Sequence, residues 1–501
     1  MLKRLPLIAL LSTAVSHAAA DERPLNVVII YADDLGIMDV TPYNPDTFHD
    51  TPSVQALADS GVTFTQAYSA SPVCSPARSA MMTGHWPART RNTNFFGAPN
   101  QHFGQALPDE IDCLAHDDLR HTRNRPLWPA PYLGQMVESH TSMGEAFKAQ
   151  GYATFHAGKW HLGPEGSWPE DHGFDYNRGG HQGGGPYGGD KYFSPYDNPR
   201  LEDGPPGEHL TQRLADETAA FIGNYKEQPF FAMLNFYAPH TPLMAPDDLV
   251  EKYEQRREEL GLTDEFEPEP PRRNRIVQSH AIYAGMVEAL DRAVGTVLDA
   301  LEENGVADRT VIIFSSDHGG LSTSEGHPTT NLPFRAGKGW LYEGGLRVPF
   351  IVRWPGVAPE GATSDWQLTG TDFFPSALEM ADLPKLPEQH IDGVSFAPAV
   401  KDPEAEMPAR DLYWHFPHWG NQGGYPGAAI RRGDWKYIHT FWGKAPELYN
   451  LAEDPGERHN LALKHPDIAR ELHNALQELH RETDALMPTV NPEAPVDFNR
   501  W

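Results

Sequence analysis

The chain is poor in cysteine: 501 residues hold two, Cys74 and Cys113, which allow at most one disulfide, between them. Basic residues are also scarce, with 40 Lys and Arg against 69 Asp and Glu, for a formal net charge of −29. That balance argues against nucleic acid or an anionic membrane as the main partner, because both need clustered cations. It leaves room for an anionic small substrate, since a few cations in a pocket outweigh a diffuse surface field. Beyond the N-terminus no run approaches the roughly 18 apolar residues of a membrane span, so no transmembrane segment is expected. No internal repeat is visible. The Gly-rich stretch 179–189 (GGHQGGGPYGG) lacks phosphate-loop spacing and a Lys-Ser/Thr ending, which excludes a nucleotide site there. With 39% hydrophobic and 22% charged residues, the composition is that of a globular protein, long enough for a sizeable core.

The N-terminus reads as a secretion signal. Lys3 and Arg4 precede a short apolar run from Leu5 to Val15, and Ala18, Ala19 and Ala20 offer a cleavage site before Asp21. Residues 1–20 are thus expected to be a signal peptide, and the mature chain periplasmic or secreted. In such a compartment a Cys74–Cys113 disulfide is the plain expectation, but the setting of Cys74, SPVCSPARSAMMTGHWPAR, favours a chemical purpose.

Short apolar, β-rich runs end abruptly in polar residues. Leu25 to Tyr31 runs into Asp33 and Asp34, Tyr152 to Phe155 into His156, Lys159 and His161, and Phe230 to Phe236 into His240. Thr310 to Ser315 runs into Asp317 and His318, and Val348 to Val352 into Arg353. Helical spacing alternates with them at Ser53–Ser60, Ser142–Gln150, Leu210–Tyr225 and Ile276–Asn304. This pattern predicts an α/β fold with a mostly parallel sheet sandwiched by helices, whose ligands bind beyond the carboxyl ends of the strands. The Gly-rich stretch reads as surface, Glu251–Arg275 as a solvated insertion, and Pro384–Arg410 as a linker. The expected catalytic domain is 21–400. A smaller α+β unit, 401–501, holds two candidate strands, Asp411–Phe416 and Ala428–Thr440, and a helix, Pro466–Asp484, with Ile468, Leu472, Leu476 and Leu479 on one face.

An isolated Asp33-Asp34 pair could cap a helix, but Asp317-His318 repeats the pattern after a second strand. Three carboxylates and an imidazole at one sheet edge repel unless a cation sits among them, and oxygen-rich ligation suits Ca²⁺ or Mg²⁺ better than Zn²⁺. Arg78, Lys159 and Lys338, with the imidazoles of His161 and His240, would make a pocket for a tetrahedral oxyanion such as a sulfate or phosphate ester.

Cys74-Ser75-Pro76-Ala77-Arg78 resembles the C-x-P-x-R signature of the type I, formylglycine-dependent sulfatases. The resemblance extends over nearly the whole mature chain, through GKWHLG, HGFD at His172 to Asp175, APHTP, SDHGG, RAGKGWLYEGGLRVP and LYNLAEDPGERHNLA. It implies an alkaline phosphatase-like fold and conversion of Cys74 to formylglycine by a separate maturation system. It further implies that one hydroxyl of the hydrated aldehyde attacks sulfur and the second expels sulfate. By the same resemblance Asp33, Asp34, Asp317, His318 and the modified Cys74 bind the cation, and Arg78 holds the diol. Lys159 and Lys338 hold sulfate oxygens, His240 protonates the leaving oxygen, His161 serves sulfate release, and Asp317 acts as base. Two positions depart from the common pattern: His318 stands where the family often has Asn, and Ala77 where the signature often has Ser.

For the leaving group, the candidates are His172, His181, Gln182, His415, His418, Asn421 and Gln422. YWHFPHWGNQGG offers aromatic faces and amides that suit a sugar ring, although Trp414, Phe416 and Trp419 could equally pack the C-terminal unit onto the main domain. The expected substrate is an O-sulfated sugar of a polysaccharide, of galactose type, and the acidic surface favours exo action on short or terminal sugars. The alternatives are a phosphonate monoester hydrolase or phosphodiesterase of the same superfamily, and a non-catalytic protein that binds sulfated glycans.

Overall fold

The run NVVIIYA forms the central strand β1 (Asn26–Ala32), and every residue of it is buried. Alternate side chains serve opposite layers: Val28 and Ile30 join one core, and Val27, Ile29 and Tyr31 the other. That is the period of a strand covered on both faces. The computed structural model describes residues 23–108 and 125–494, so the expected signal peptide 1–20 and Cys113 lie outside the described residues. The sheet is completed by β2 (Val62–Phe64), β3 (Ala153–Gly158), β4 (Tyr176–Arg178), β5 (Phe230–Asn235), β6 (Thr310–Ser316), β7 (Phe350–Arg353) and β8 (Ala362–Ser364). Its order is β8-β2-β7-β6-β1-β5-β3-β4. Every strand runs with β1 except β7, which is antiparallel to both neighbours.

Register is what positions the chemistry. Ala32 at the end of β1 pairs with Ser316 at the end of β6, so Asp33-Asp34 and Asp317-His318 leave the sheet at one level. Asn235 pairs with Tyr31 on one side and Gly158 on the other, which brings the segments carrying Lys159 and His240 to the same edge.

Eight helices are used below: α1 (Pro52–Asp59), α2 (Cys74–Thr83), α3 (Met143–Ala149), α4 (Leu210–Tyr225), α5 (Asp247–Glu259), α6 (Ala281–Glu303), α7 (Phe373–Met380) and α8 (Pro466–Glu482). The long α4 and α6 cover one face with Leu214, Ile222, Met286, Leu290 and Val294. The other face is covered by α2, α3 and α7 through Met81, Phe147 and Phe374. At the start of α3 the Ser142 hydroxyl accepts from Glu145 N while the Glu145 carboxylate accepts from Ser142 N, a reciprocal cap that fixes where the helix begins.

Two expectations are corrected. Ala428–Thr440 is not one strand but two, β10 (Gly427–Arg432) and β11 (Trp435–Thr440). The chain reverses at Gly433-Asp434, where Gly433 takes φ 56°, a left-handed conformation suited to a tight hairpin. With β9 (Asp411–Phe416) and β12 (Glu447–Asn450) they form an antiparallel sheet, β9-β10-β11-β12, packed on α8 through Leu472 and Leu476. Nor is Glu251–Arg275 merely solvated. Helix α5 buries Leu249 and Tyr253, and a hairpin of Phe266–Glu269 and Arg272–Arg275 follows. That hairpin is ion-paired through Glu269 to Arg335 at 2.7 Å and through Glu267 to Arg458 at 2.8 Å.

The second sheet is fastened to the first by buried charge. Lys436 of β11 lies 2.9 Å from both Glu343 and Glu457, and all three side chains are fully buried. Removing one partner leaves uncompensated buried charge, at a cost of about 3–5 kcal/mol. Lys436→Ala is therefore expected to lower unfolding stability by about that amount in urea titration; a loss near that of a surface substitution would show that the triad does not fasten the layers.

Candidate active site

Asp33 and Asp34 follow β1, and both are buried. Asp34 takes φ 67°, in the left-handed region that non-glycine residues rarely adopt. It is held there from two sides: Asp34 N donates to Asp317 Oδ1 at 3.2 Å, and Tyr283, anchored on Asp39 at 2.7 Å, donates to Asp34 O at 3.3 Å. The two acidic strand ends are thereby tied directly together.

Cys74 is the first residue of α2, where the helix dipole presents its positive end. It is a buried thiol with no disulfide partner among the described residues, its Sγ 3.7 Å from Asp33 Oδ1 and 3.4 Å from His318 Nε2. Arg78 sits one turn further on the same helical face. Its Nε donates to Asp317 Oδ2 at 3.0 Å and its Nη1 to Lys159 O at 3.1 Å. Its Nη2 is buried and has no hydrogen-bond partner among the described residues. Lys159 donates to Asp33 Oδ2 at 2.5 Å, and Lys338 to Asp34 Oδ1 at 2.7 Å. His240 donates from Nδ1 to Thr241 O at 2.7 Å, which leaves Nε2 facing Asp34 Oδ2 at 3.9 Å. His161 is fixed by Nε2 donating to Phe96 O at 2.9 Å.

The electrostatics follow from this crowding. Burial and the Asp317 carboxylate push Asp33 well above the usual carboxylate range, against the pull of Lys159. Burial would raise Asp317 too, but His318 and Arg78 hold it at about 2. Burial works to raise the Cys74 thiol, yet Lys159, Lys338 and His318 bring it well below its ordinary value. His318 is raised, since Asp317 and Cys74 outweigh its burial. Burial lowers His161.

Two overlapping sets of side chains could hold a metal ion: Asp33, Cys74, Asp317 and His318, and Asp33, Asp34, Cys74 and His240. Within each set the donor atoms lie no more than 4.8 Å apart. Together the two sets offer three carboxylates beside two imidazoles and Cys74, and the carboxylates suit a hard divalent cation.

The structure thus brings Asp33, Asp34, Cys74, Arg78, Lys159, His240, Asp317, His318 and Lys338 into one buried cluster. His161 and His181 meet at its margin, where His161 N donates to His181 O at 3.0 Å. Asn421 and Gln422 both donate to Glu325 at 3.0 Å. Three of the expected substrate contacts are placed elsewhere. His172 is bound to Ser167 at 2.9 Å beside Trp160. His415 is bound to Leu486 O at 2.9 Å among Tyr413, Phe441 and His480. His418 is bound to Thr93 at 2.9 Å between Tyr132 and Phe416. Each is buried within the packing, and Nδ1 of His415 and of His418 finds no hydrogen-bond partner among the described residues. Trp414 and Phe416 are buried and serve packing as well, Trp414 donating to Ser69 O at 2.7 Å. Sequence reasoning missed Tyr187 and Glu325. The one available signal was a tyrosine in an otherwise small-residue loop, and that loop crowds His161: a Cβ at Gly184 would meet its ring at 2.7 Å.

A mostly parallel sheet between helical layers, with its polar cluster at the carboxyl edge, is the architecture of the alkaline phosphatase-like class. The sulfatase family model matches residues 25–383, and one described as N-sulphoglucosamine sulphohydrolase, C-terminal, matches residues 336–482. The chain belongs to the sulfatase family and is a sulfuric ester hydrolase. A sulfatase of Formosa agariphila is 29% identical over 93% of this chain and 90% of its own. The N-acetylgalactosamine-6-sulfatase of Canis lupus familiaris is 28% identical over 96% of this chain and 90% of its own. The solved structure of Ps i-CgsB in complex with k-i-k-neocarrahexaose is 26% identical, with a TM-score of 0.71 over 91% of this chain and 93% of that one.

A cation bound only by the folded state raises the melting temperature with its concentration. A titrated divalent cation is expected to do so for this chain, and Asp317→Asn to abolish the rise; an equal rise in that variant, followed by differential scanning calorimetry, would remove Asp317 from the cation site.

Proposed function

We propose that this sulfatase is exported and hydrolyses O-sulfate monoesters of sugars released from a polysaccharide, galactose-type residues among them. In this reading it uses a formylglycine made from Cys74 and a divalent cation, foremost Ca²⁺. The observation that carries the reading is the position of Cys74, buried at a helix N-terminus between Asp33 and His318 with Arg78 one turn away. A thiolate there could ligate a cation but could not release sulfate as the reaction requires, whereas a converted side chain would supply a hydrated aldehyde with one hydroxyl to attack sulfur and one to release it as sulfate. A bound cation would withdraw charge from the sulfate oxygens.

The remaining work falls to side chains of this chain. Arg78 holds the nucleophile through Nη2, its donor without a hydrogen-bond partner among the described residues. With a cation held by Asp33, Asp34 and Asp317, the ammonium groups of Lys159 and Lys338, now bonded to Asp33 and Asp34, would be available to hold sulfate oxygens. Asp317, kept ionised, serves as base. His240 protonates the leaving oxygen from Nε2, its orientation set by the Nδ1 bond to Thr241 O. His161 serves the diol during sulfate release.

A sugar as leaving group is supported by relatives named for N-acetylgalactosamine 6-sulfate and by the neighbour bound to a neocarrahexaose. Export rests on residues 1–20, and with it a division into a catalytic domain, 21–400, and a C-terminal subdomain, 401–501.

The test is sulfate release from sulfated galactose, run beside a phosphate diester and an activated aryl sulfate. Turnover of the sulfate monoesters is expected, and preference for the diester would contradict the reading. His240→Ala is expected to slow the sugar sulfate by about 10²–10⁴-fold, the usual worth of a positioned proton donor, and the aryl sulfate far less, because its phenolate leaves unaided. Equal losses on both would remove His240 from the acid role.

A further inference from the structure

The mouth of the cluster carries side chains that the reaction itself does not use. Tyr187 of the Gly-rich loop is 57% exposed, and its ring meets that of His240 with centroids 6.0 Å apart. His240 is followed by Thr241, whose hydroxyl lies 3.5 Å from Glu325 Oε2. Glu325 is exposed, and its Oε1 accepts from both Asn421 Nδ2 and Gln422 Nε2 at 3.0 Å. One carboxylate oxygen is therefore saturated by two amides, while the other has a single weak contact and lone pairs to spare. The backbone that presents it is strained. Glu325, Gly326 and His327 take φ of 51°, 94° and 51°, so two non-glycine residues occupy the left-handed region beside a glycine.

A carboxylate at the entrance of a site for anions works against the approach of sulfate. Its charge also acts on Lys338, one of the cations inside. Such a group is disadvantageous there unless it recognises something else on the substrate. An ionised carboxylate accepts hydrogen bonds from hydroxyls and repels anions, so it separates a sugar hydroxyl from a sulfate at the same position.

We infer that Glu325 is a specificity-determining residue of the leaving-group subsite. Its Oε2, which has only the weak Thr241 contact among the described residues, accepts a sugar hydroxyl, and its charge rejects a sugar that carries a second sulfate there. Tyr187 supplies an aromatic surface for the ring on the same rim. The inference rests on the carbohydrate sulfatase reading. It makes the enzyme selective for singly sulfated sugars, so a different hydrolase would have to remove a second sulfate from the same sugar beforehand.

Glu325→Gln tests the inference with little change of shape. The glutamine carbonyl keeps both amide partners, and its NH₂ turns outward, replacing a charged acceptor by a neutral donor. The probes are galactose monosulfate and galactose disulfate, with an aryl sulfate alongside. The wild-type protein is expected to favour the monosulfate in kcat/KM, and E325Q to shrink that preference by about tenfold, the scale of one polar contact in substrate discrimination. Raising the ionic strength is expected to shrink it in the wild type as well, because salt screens an exposed charge. With aryl sulfate turned over by the wild-type protein, the sulfatase reading stands. An unchanged ratio in E325Q, or a wild-type ratio indifferent to salt, then overturns the Glu325 assignment alone. Should E325Q fail to fold, the salt series on the wild type decides. If the wild-type protein with a converted Cys74 releases sulfate from none of the three, the sulfatase reading fails and the assignment with it.

Discussion

Three carboxylates and three cations share one buried edge of this molecule: Asp33, Asp34 and Asp317 with Arg78, Lys159 and Lys338. Burying a single unpaired charge costs several kcal/mol, and removing one member of a buried pair exposes that cost in full. Each of these groups is therefore tolerable only while its partners stay in place. The level register of β1 and β6, the strained Asp34 backbone and the start of α2 at Cys74 all serve that requirement. The apolar layers make a sheet; the paired charges determine which residues must meet at its end.

The same device recurs where the second sheet meets the first. Lys436 bridges Glu343 and Glu457 in full burial, and the segment that carries Glu343 also carries Lys338. The DPGERHN stretch thus contributes through Glu457 to holding the layers together, not to the chemistry. Because hairpin and second sheet both reach the loops around Lys338, the outer layer seats one wall of the site as well as covering the core. Asn421 and Gln422, from the same layer, orient the carboxylate at its mouth.

Much of this was legible in the sequence, for a physical reason. Strands covered on both faces read as unbroken apolar runs, and the βα edge of a parallel sheet is where polar residues interrupt them, so NVVIIY before Asp33 and TVIIFS before Asp317 announced both fold and site. What failed lacked such a signal. An apolar run carries no direction, so nothing marked β7 as antiparallel. The Gly433-Asp434 reversal was hidden inside a continuous β-rich stretch. Histidines 172, 415 and 418 sit among aromatics whether they line a pocket or satisfy a core, and composition does not separate the two. Glu325 and Tyr187 come from loops that meet near His240 only through tertiary crossing; Tyr187 had only its Gly-rich surroundings to mark it, and Glu325 had nothing local.

In the function proposed for this sulfatase, Cys74 is converted from a thiol to formylglycine. The most direct test is the mass of the tryptic peptide spanning Cys74, taken from active protein made in cells with a formylglycine-generating maturation system. The expected result is the mass of the aldehyde or its hydrate, in proportion to sulfate-releasing activity. Full activity in protein whose peptide carries an unmodified or disulfide-linked Cys74 would contradict it.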